Sequence, residues 1–436
     1  MDNHRQLKQI FALADVNSMY VSCELVFRPD LWGKPVVVLS NNDGIPIAQN
    51  QLAKDLLEPL GSQPWFKIKD IATKLGIIAF SSNYELYDNM SNRFYDTLRH
   101  FTSHLEVYSI DECFMDMKCM KRPLTPFGHK IKDTVKQWTG LPICVGFGYS
   151  KTMAKLANHC AKKQAHFNGV CDLTAMSDAE VDSILEKLPL SKVWGIGKKR
   201  ELKLNQLGVD NVLRLRRADP KRIRDEFDVV LERTVKELNN EVWLDFEDIP
   251  EAKQVMSSRS FGTRVQTIEE LRESLSYHAN HAAQRMRAKG LYAQSLTAFV
   301  QNSPHDNKHQ YYSGSLTLTL PEPTACSIRL TNTALWILER IYKPGLNYQK
   351  SGVLLSGLVP AAGRQQDLFS SAAVDPRKLK LMETFDAINN KYKSGAIKLA
   401  AEGVSKPWQM RRNIKSPNYT GDWNEFPVIG KRVTEL

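Results

Sequence analysis

Apolar positions near the start of the chain form short blocks that alternate with segments of helical periodicity. IFALADV (10–16) and ICVGFG (143–148) are apolar runs typical of buried strands. Helical spacing of apolar residues is found around 49–58, 84–103 and 126–138, and in KTMAKLANHCAKK (151–163). This alternation predicts a mixed arrangement in which helices cover a sheet.

One apolar segment of this region contains two adjacent acidic residues. LEVYSIDECFMDM (105–117) consists of two short apolar pieces interrupted at Asp111 and Glu112, which is consistent with a β-hairpin. Adjacent side chains of a regular strand point to opposite faces, so both carboxylates reach one site only if the chain turns there. Charge in an apolar segment also requires a partner, because burying it alone is costly.

The pattern changes after Pro189. The sequence VWGIGKK (193–199) predicts a glycine turn that leads into a short helix, which Gly208 can terminate. A basic helical stretch follows, with Arg214, Arg216, Arg217, Lys221, Arg222 and Arg224. EDIPEAKQ (247–254) has the composition of a linker. A separate, mainly helical part is therefore expected before this linker.

Beyond the linker, the pattern predicts a β-α-β-β-α-β unit. The strand SSRSFGTRV (257–265) precedes Thr267 and Glu270, which form a capping-box pattern at the start of a helix that ends at Gly290. Two strands come next, and SLTLTL (315–320) alternates at period two.

A helix over 328–343 and the strand GVLLSGLV (352–359) complete this unit in the split ferredoxin-like order. From about 361 the chain is punctuated by Gly, Ser and Pro. It contains one helical stretch near 376–393 and no clear core of its own.

Composition adds domain number and charge to this picture. The 436 residues exceed one ordinary domain, so two to four are expected. The 59 Lys and Arg outnumber the 48 Asp and Glu, for a net charge of +11. Such a balance favours a polyanionic partner, either nucleic acid or an anionic membrane surface, although a solvated basic surface also accounts for it.

Membrane insertion and an oxidising compartment are disfavoured. No apolar run approaches the roughly 20 residues needed to cross a bilayer, and the first residues do not resemble a signal peptide, because their apolar part is short and interrupted by Asp15. The seven cysteines include no CxxC pair. A reducing, cytoplasmic setting without a zinc site is expected.

Acidic residues at strand ends are the first candidate for chemistry. Asp15 ends the first predicted strand, and Asp111 and Glu112 interrupt the hairpin. Three converging carboxylates repel one another unless cations bind, and Mg²⁺ prefers such oxygen ligands together with substrate phosphates. Two such ions support phosphoryl displacement. The alternative is three unrelated surface acids.

Two basic motifs are further candidates. Lys151, Lys155 and Lys162 lie on one stripe of the predicted helix and are suited to phosphates, unless this is an ordinary solvated face. The turn WGIGKK resembles a helix-hairpin-helix module. There, backbone N–H groups of Gly195 and Gly197 approach a DNA phosphate and two lysines, Lys198 and Lys199, add charge. The alternative is an ordinary glycine turn between helices.

The tail contains one short motif. QQDLF (365–369) is polar and ends in two apolar residues, in a region with little core. It is suited to anchor in the groove of a partner protein, and an ordinary loop is the alternative.

Taken together, these motifs resemble the Y-family of translesion DNA polymerases, and within it the UmuC type, to which the catalytic subunit of bacterial DNA polymerase V and its mobile-element relatives belong. The resemblance extends over almost the whole chain. It is carried by DVNSMYVSCE (15–24), VFRPDLWGKPVVVLSNNDG (26–44), FSSNYELYDNMSNR (80–93), YSIDE (108–112), AKLANHCAKK (154–163), VWGIG (193–197), DVVLERTVKEL (228–238) and SRSFG (258–262).

The resemblance implies a multidomain α+β fold shaped as a right-hand polymerase. The implied parts are a ferredoxin-like palm, small fingers, a helical thumb with a helix-hairpin-helix, a β-α-β-β-α-β little finger and a tail. Their expected bounds are 1–38 and 85–185 for the palm, 39–84 for the fingers, 186–248 for the thumb, 254–360 for the little finger and 361–436 for the C-terminal tail.

Residue roles are implied in the same way. Asp15, Asp111 and Glu112 match the catalytic carboxylates that bind two Mg²⁺ ions, with the Val16 carbonyl as a further ligand. Tyr20 matches the steric gate under the sugar of the incoming nucleotide. The remaining matched positions are Lys54 and Lys162 for the triphosphate, and Gln365, Leu368 and Phe369 for the sliding clamp.

The implied activity is error-prone, template-directed translesion DNA synthesis in the SOS response to DNA damage. The implied partners are primer-template DNA, deoxynucleoside triphosphates, a UmuD′-type dimer, a RecA filament and the sliding clamp, in the bacterial cytoplasm at the nucleoid. Two alternatives stay open: a non-catalytic DNA-damage-binding or checkpoint protein on a polymerase scaffold, and a nucleotide cyclase with a similar palm.

Overall fold

The chain divides into two compact units in a computed structural model. The structure describes residues 9–118, 120, 123–246, 252–305, 310–360, 376–392 and 395–426. The first unit comprises Met1–Ser40, Gly44–Ile249 and Ile414–Leu436, and the second comprises Asn41–Asp43 and Pro250–Asn413. This division does not test the five expected domain bounds, which stay predictions.

The first unit contains two sheets and eleven α-helices within its described residues, besides short 3₁₀ turns. Its strands are β1 (Phe11–Val16), β2 (Val36–Leu39), β3 (Pro46–Gln49), β4 (Ile78–Ser81), β5 (Leu105–Val107), β6 (Glu112–Asp116), β7 (Ile143–Gly148) and β8 (Val170–Asp172). Its helices are α1 (Met19–Phe27), α2 (Gln51–Leu57), α3 (Trp65–Lys74), α4 (Tyr84–Leu98), α5 (Thr125–Thr139), α6 (Lys151–Lys163), α7 (Asp178–Glu186), α8 (Lys198–Gln206), α9 (Val212–Arg216), α10 (Pro220–Glu226) and α11 (Val229–Leu238).

The larger sheet has the order β5-β6-β1-β7-β8. Its central strand β1 is antiparallel to both β6 and β7, and all six of its residues are buried. This explains why β1 is apolar at every position except Asp15, because a strand covered on both faces has no solvent side. The register places Asp15 opposite Glu112 on one side and Cys144 on the other.

Helix α6 lies very close to β7 because two residues of that strand are glycines. A Cβ on Gly146 would lie 2.1 Å from the backbone nitrogen of Asn158, and one on Gly148 would lie 2.5 Å from that of Ala154. The Asn158 amide also donates to the carbonyls of Leu13 and Cys144, at 3.2 and 2.9 Å. The predicted lysine helix is thereby held against the strand that ends in Asp15.

The smaller sheet has the order β3-β2-β4, with β2 parallel to β4. Helices α2 and α3 bury their apolar residues in the same cluster as one face of β2. The hydrophobic pattern did not predict α3. Only Trp65, Ile68 and Ala72 are buried in it, and Phe66 and Ile71 are exposed apolar residues that obscure the period.

Helices α7–α11 form a separate apolar cluster that also includes the inner face of α6. The glycine turn predicted at 193–199 lies within this helical part and leads into α8. Gly208 follows that helix with a positive φ of 80°, as predicted for its end.

The second unit has the predicted β-α-β-β-α-β order. Its elements are β9 (Gln254–Val265), α12 (Ile268–Arg287), β10 (Leu291–Asn302), β11 (Ser313–Thr324), α13 (Ser327–Ile341) and β12 (Tyr348–Pro360), followed by α14 (Pro376–Tyr392). The sheet is antiparallel in the order β11-β10-β12-β9. Thr267 caps α12 as predicted, by accepting from the Glu270 N–H at 3.3 Å.

The six cysteines within the described residues are free thiols, and all of them are buried. None of the described helices combines the length and apolar character needed to cross a bilayer.

Candidate active site

The predicted hairpin exists, and the chain turns just before Glu112. Strands β5 and β6 are antiparallel, and Asp111 lies in the turn between them. The Ser109 hydroxyl organises this turn, since it donates to the Asp111 carboxylate at 2.7 Å and accepts from the Glu112 N–H at 3.1 Å. The turn also accepts a hydrogen bond from α4, where Ser91 donates to the Ile110 carbonyl at 2.6 Å.

This turn places all three predicted carboxylates beside the end of β1. Glu112 is the cross-strand partner of Asp15, and the Val16 N–H donates to the Asp111 carbonyl at 2.9 Å. The pKa of the Asp15 carboxyl is raised to about 7, mainly because the group is buried; Lys162 opposes this rise, and the negative charges of Glu112 and Asp111 contribute to it. The three carboxylates are therefore close enough to interact electrostatically, and their role as metal ligands stays a prediction.

Two lysines of α6 form ion pairs with these carboxylates. The Lys162 ammonium pairs with Asp15, and the Lys155 ammonium lies 3.0 Å from Glu112. Within the described residues, no group of three or more His, Cys, Asp or Glu side chains is arranged to hold a metal ion. The structure thus brings the three acids to one edge of the sheet, but directs two of them toward lysines.

The donor set still fits a divalent cation. Asp15 is only 8% exposed, and its raised pKa means that Lys162 does not fully compensate the cost of burying its charge. Carboxylates and a backbone carbonyl are the hard oxygen ligands that Mg²⁺ prefers. Asp15, Asp111 and Glu112 supply carboxylate oxygens at this edge, and the Val16 carbonyl as a further ligand stays a prediction.

The interpretation of Lys151 as part of a phosphate-binding stripe is wrong. Its side chain is 3% exposed, and its ammonium contacts both carboxylate oxygens of Glu106, at 2.6 and 2.8 Å. The Asp245 carbonyl accepts from it as well, at 2.6 Å. These partners come from other parts of the chain, so helical spacing alone did not separate Lys151 from Lys155 and Lys162.

Aromatic residues around Lys155 were not predicted from the sequence. The Lys155 ammonium lies 4.3 Å from the ring centroid of Tyr108 and 5.2 Å from that of Trp194. The two rings meet edge to face at 5.3 Å. The aromatic residue within each of the two motifs YSIDE and VWGIG was the available signal.

Tyr20 borders a cavity of about 450 Å³ next to Asp111. Its ring stacks on Tyr87 at 4.6 Å, with an interplanar angle of 18°, and meets Tyr84 edge-on at 5.9 Å. Burial raises the pKa of the Tyr20 hydroxyl, with smaller contributions from Tyr84 and Asp111. The ring is thus held on two sides by aromatic residues of α4.

Lys54 lines the same cavity from α2. Burial lowers the pKa of its ammonium, and the charges of Lys163 and Lys162 lower it further. Lys54 and Lys162, which are far apart in sequence, therefore lie within electrostatic range of each other. A cluster of mutually repelling cations is stabilised by an anion.

The glycine turn presents its predicted residues to solvent. Gly195 has a positive φ of 85°, which favours glycine. Gly197 caps α8, and a Cβ added there would meet no heavy atom within 4 Å, so the space beside its backbone is open. Lys198 and Lys199 are exposed at the start of that helix. The predicted clamp residues Gln365, Leu368 and Phe369 lie outside the described residues.

The tail contains buried residues that were not predicted from the sequence. Trp408 and Tyr419 are each 3% exposed. Trp408 contributes to the core of the second unit, and Tyr419 to that of the first. Isolated aromatics among polar and Gly, Ser or Pro residues carry no periodic signal, so they were not assigned to a core.

Family models match most of the chain. The impB/mucB/samB family matches residues 14–159, and its C-terminal domain matches residues 252–368. The IMS family HHH motif matches residues 178–209, which include the glycine turn. A domain of unknown function matches residues 379–429.

Curated relatives match along nearly their whole length. Protein UmuC of Salmonella typhimurium is 43% identical over 421 residues, covering 96% of this chain and 99% of that protein. Protein ImpB of Salmonella typhimurium is 40% identical over 424 residues, with the same coverage of 96% and 99%. DNA polymerase IV of Moorella thermoacetica is 25% identical over 407 residues, covering 90% and 96%.

Solved structures show the same fold. The Y-family DNA polymerase chimera Dbh-Dpo4-Dbh superposes with a TM-score of 0.63 at 20% identity, covering 80% of this chain and 99% of that one. The insertion ternary complex of Dbh DNA polymerase gives 0.53 at 19% identity, with coverage of 80% and 99%. The predicted fold class is confirmed. With 43% identity to a relative along nearly the whole of both chains, this chain belongs to the UmuC, ImpB, MucB and SamB family of Y-family DNA polymerases.

Proposed function

We propose that the chain copies DNA on a template past damaged bases, by nucleotidyl transfer with two Mg²⁺ ions, in the SOS response. The observation that carries this proposal is the cross-strand placement of Asp15 opposite Glu112, with Asp111 in the adjoining turn. These carboxylates lie beside a cavity that is lined by Tyr20 and Lys54. Family membership supports the same activity.

The proposal places the metal ions at the oxygen donors beside the end of β1. The ions would be held by the carboxylates of Asp15, Asp111 and Glu112 and by the Val16 carbonyl. The negative charges of the three carboxylates would balance the positive charge of the ions. When bound, Mg²⁺ would supply charge neutralisation for the attacking and leaving oxygens of the phosphoryl transfer. Binding of the ions would free Lys155 and Lys162, which are paired with Glu112 and Asp15, to contact substrate phosphates.

Substrate selection is assigned to Tyr20. Its ring, fixed against Tyr87, would lie under the sugar of the incoming nucleotide and leave no room for a 2′-OH. Lys54 and Lys162 would bind the triphosphate, because their mutual repulsion is relieved by that anion. Gly195, Gly197, Lys198 and Lys199 would contact the DNA backbone, with no reading of sequence.

The proposal extends to the biological setting and the partners that the sequence resemblance implies. We place the chain in the bacterial cytoplasm at the nucleoid, on primer-template DNA with deoxynucleoside triphosphates. A UmuD′-type dimer, a RecA filament and the sliding clamp are the proposed protein partners. The clamp would contact Gln365, Leu368 and Phe369. The five domain bounds given above belong to this proposal.

Primer extension on undamaged and lesion-containing templates, with Mg²⁺, tests the proposal. Asp111→Ala and Glu112→Ala should each lose at least about 10²–10³-fold of the incorporation rate, the range known for removal of one electrostatic group from an active site. Asp116→Asn, a change of another acid on β6, serves as the matched control and should retain activity. Variants at Asp111 and Glu112 with activity near wild type would remove these residues from the site.

The same assay separates the alternatives. A non-catalytic damage-binding protein would bind the template without Mg²⁺-dependent incorporation, even after each protein partner is added. A nucleotide cyclase would consume nucleotide without DNA.

The proposed clamp contact has its own test. Alanines at Leu368 and Phe369 should weaken clamp-dependent synthesis and leave clamp-independent synthesis unchanged.

A further inference from the structure

The C-terminal strap, residues 414–419, belongs to the first unit and lies within the part of the chain that matches a domain of unknown function. It forms a parallel bridge with the end of β4, where Ser81 and Lys415 are partners. The Ser81 N–H donates to the Ile414 carbonyl at 3.0 Å, and the Ile414 N–H donates to the Ser81 hydroxyl at 3.1 Å. The backbone of the strap is therefore fixed as it enters this unit.

Asn83 connects the strap to α4. Its carbonyl oxygen caps that helix by accepting from the Leu86 N–H at 3.4 Å. Its amide nitrogen donates to three oxygens of the strap: the Ser416 carbonyl at 3.2 Å, the Ser416 hydroxyl at 2.9 Å and the Pro417 carbonyl at 3.2 Å. One buried side chain thus serves both the start of α4 and the strap.

The strap also reaches a buried carboxylate of α1. The Ser416 hydroxyl donates to Glu24 Oε1 at 3.0 Å, and the Tyr87 hydroxyl donates to the same oxygen at 2.7 Å. Glu24 is fully buried, and burial raises the pKa of its carboxyl to about 7. A buried acceptor in a low dielectric holds its donors more strongly than a solvated one.

Tyr87, whose hydroxyl is bonded to Glu24, also contacts Tyr20 through its ring. The Tyr87 ring is fully buried and stacks on the Tyr20 ring at 4.6 Å. On the same helix as Tyr20, Phe27 stacks on Tyr419 of the strap at 4.8 Å, with an interplanar angle of 13°. Helices α1 and α4 are therefore joined to each other and to the strap by a continuous set of contacts.

We propose that the strap is a positioning element for Tyr20: Ser416 and Glu24 hold the Tyr87 ring in place, and thereby set the discrimination between deoxyribonucleotides and ribonucleotides. The inference rests on the gate role proposed above for Tyr20. Ser416, Glu24 and Tyr87 do not line the cavity beside Tyr20, so they act through the gate ring and are positioning residues. The strap, a short part of the region that matches a domain of unknown function, would thereby contribute to substrate selection.

Single-nucleotide incorporation by the full chain tests this role, with a deoxynucleotide and the matching ribonucleotide. In Ser416→Ala, the ratio of kcat/KM values for deoxy over ribo substrate should fall roughly three- to tenfold, the range spanned by one net hydrogen bond. The deoxynucleotide kcat/KM itself should stay within about twofold of wild type, because no group at the reacting centre has changed. Tyr87→Phe, which keeps the ring and removes the hydroxyl, should lower the ratio in the same way.

A conservative pair at Glu24 distinguishes positioning from packing. Glu24→Gln keeps an acceptor oxygen for both donors and should keep the wild-type ratio. Glu24→Met has similar length and no comparable acceptor, so it should lower the ratio as Ser416→Ala does. Asn424→Ala is the matched control near the strap, since Asn424 is exposed and its amide donates to Asp422 in the same turn. This control should be indistinguishable from wild type.

Tyr20→Ala separates this inference from the gate role. If that variant lowers the ratio and Ser416→Ala does not, the strap role is overturned while the gate stands. If Tyr20→Ala leaves the ratio unchanged, the gate role fails.

Hydrogen–deuterium exchange then tests the strap contact independently of the gate role. Ser416→Ala should speed exchange of the amides of α1 at least severalfold. Unchanged exchange would overturn the positioning contact itself. In the Tyr20→Ala background, Ser416→Ala should have no further effect on the ratio.

Discussion

Two buried carboxylates at opposite ends of the same short motif, Asp15 and Glu24, both have a raised pKa but differ in their hydrogen-bonding partners. Burial raises the pKa of each carboxyl to about 7. Asp15 faces a lysine ammonium and lies within electrostatic range of two other acids. Glu24 accepts hydrogen bonds from two neutral hydroxyls, those of Tyr87 and Ser416.

The difference shows that burial alone does not define a catalytic acid. Like charges beside Asp15 raise the cost of its ionised form, and a cation relieves that cost. Hydroxyl donors around Glu24 satisfy a lone pair without adding charge, so they order the neighbouring side chains instead. The first environment suits ion-dependent chemistry, and the second suits the positioning of an aromatic ring.

Replacing each of the two carboxylates by its isosteric amide should give the largest difference in incorporation rate. Asp15→Asn should lower the rate of deoxynucleotide incorporation by at least about 10²–10³-fold, because it removes charge where phosphoryl transfer requires it. Glu24→Gln should stay within about threefold, because its hydroxyl partners need an acceptor rather than a charge. Primer extension measures both, with melting curves to verify folding. Similar losses of incorporation rate in the two variants would contradict the different roles assigned to Asp15 and Glu24.

The pH dependence of stability provides a second contrast of intermediate size. The Glu24 carboxyl has a higher pKa in the folded chain, about 7, than its ordinary value of 4.5. Between these two pKa values, the folded state therefore binds more protons at Glu24 than the unfolded state does. The resulting stability is fully present below pH 4.5 and is lost as the pH rises through 7. Glu24→Gln should remove this dependence, which amounts to about 3 kcal/mol between about pH 4.5 and 8.

Thermal or urea unfolding of the full chain at about pH 5 and pH 8 measures this effect. Relative to wild type, Glu24→Gln should be more stable at the higher pH than at the lower. Asn424→Ala provides the control, with a pH dependence parallel to that of wild type. Curves for Glu24→Gln that also run parallel to wild type would show that Glu24 does not titrate in this range.

Mg²⁺ binding without substrate gives the smallest expected effect. An ion at about ten times its dissociation constant stabilises the state that binds it by about 1.4 kcal/mol, which corresponds to a rise of a few degrees in melting temperature. Wild type and Glu24→Gln should both show this rise, and Asp15→Asn should not. A rise that persists in Asp15→Asn would place the bound ion elsewhere.

Motif spacing predicted much of the architecture because many of the elements are locally encoded. The buried strand β1 is apolar at every position except Asp15, and Ser150 caps α6 by accepting from the Met153 N–H at 3.2 Å. Helix α3 was not predicted, because its few buried residues are mixed with exposed apolar ones. The pairing of lysines with Asp15 and Glu112 was also not predicted, since it depends on how closely α6 approaches the sheet.

By itself, the sequence determined the helices and strands with clear periodicity, the basic charge, and the identity of the acids in the two motifs. Only the tertiary structure decided which lysine of the α6 stripe is buried, because the partners of Lys151 lie 45 and 94 positions away in sequence. It alone brought Ser416 to Glu24 across 392 positions. Such contacts are made when distant segments pack together, and no local pattern of polar and apolar residues records them.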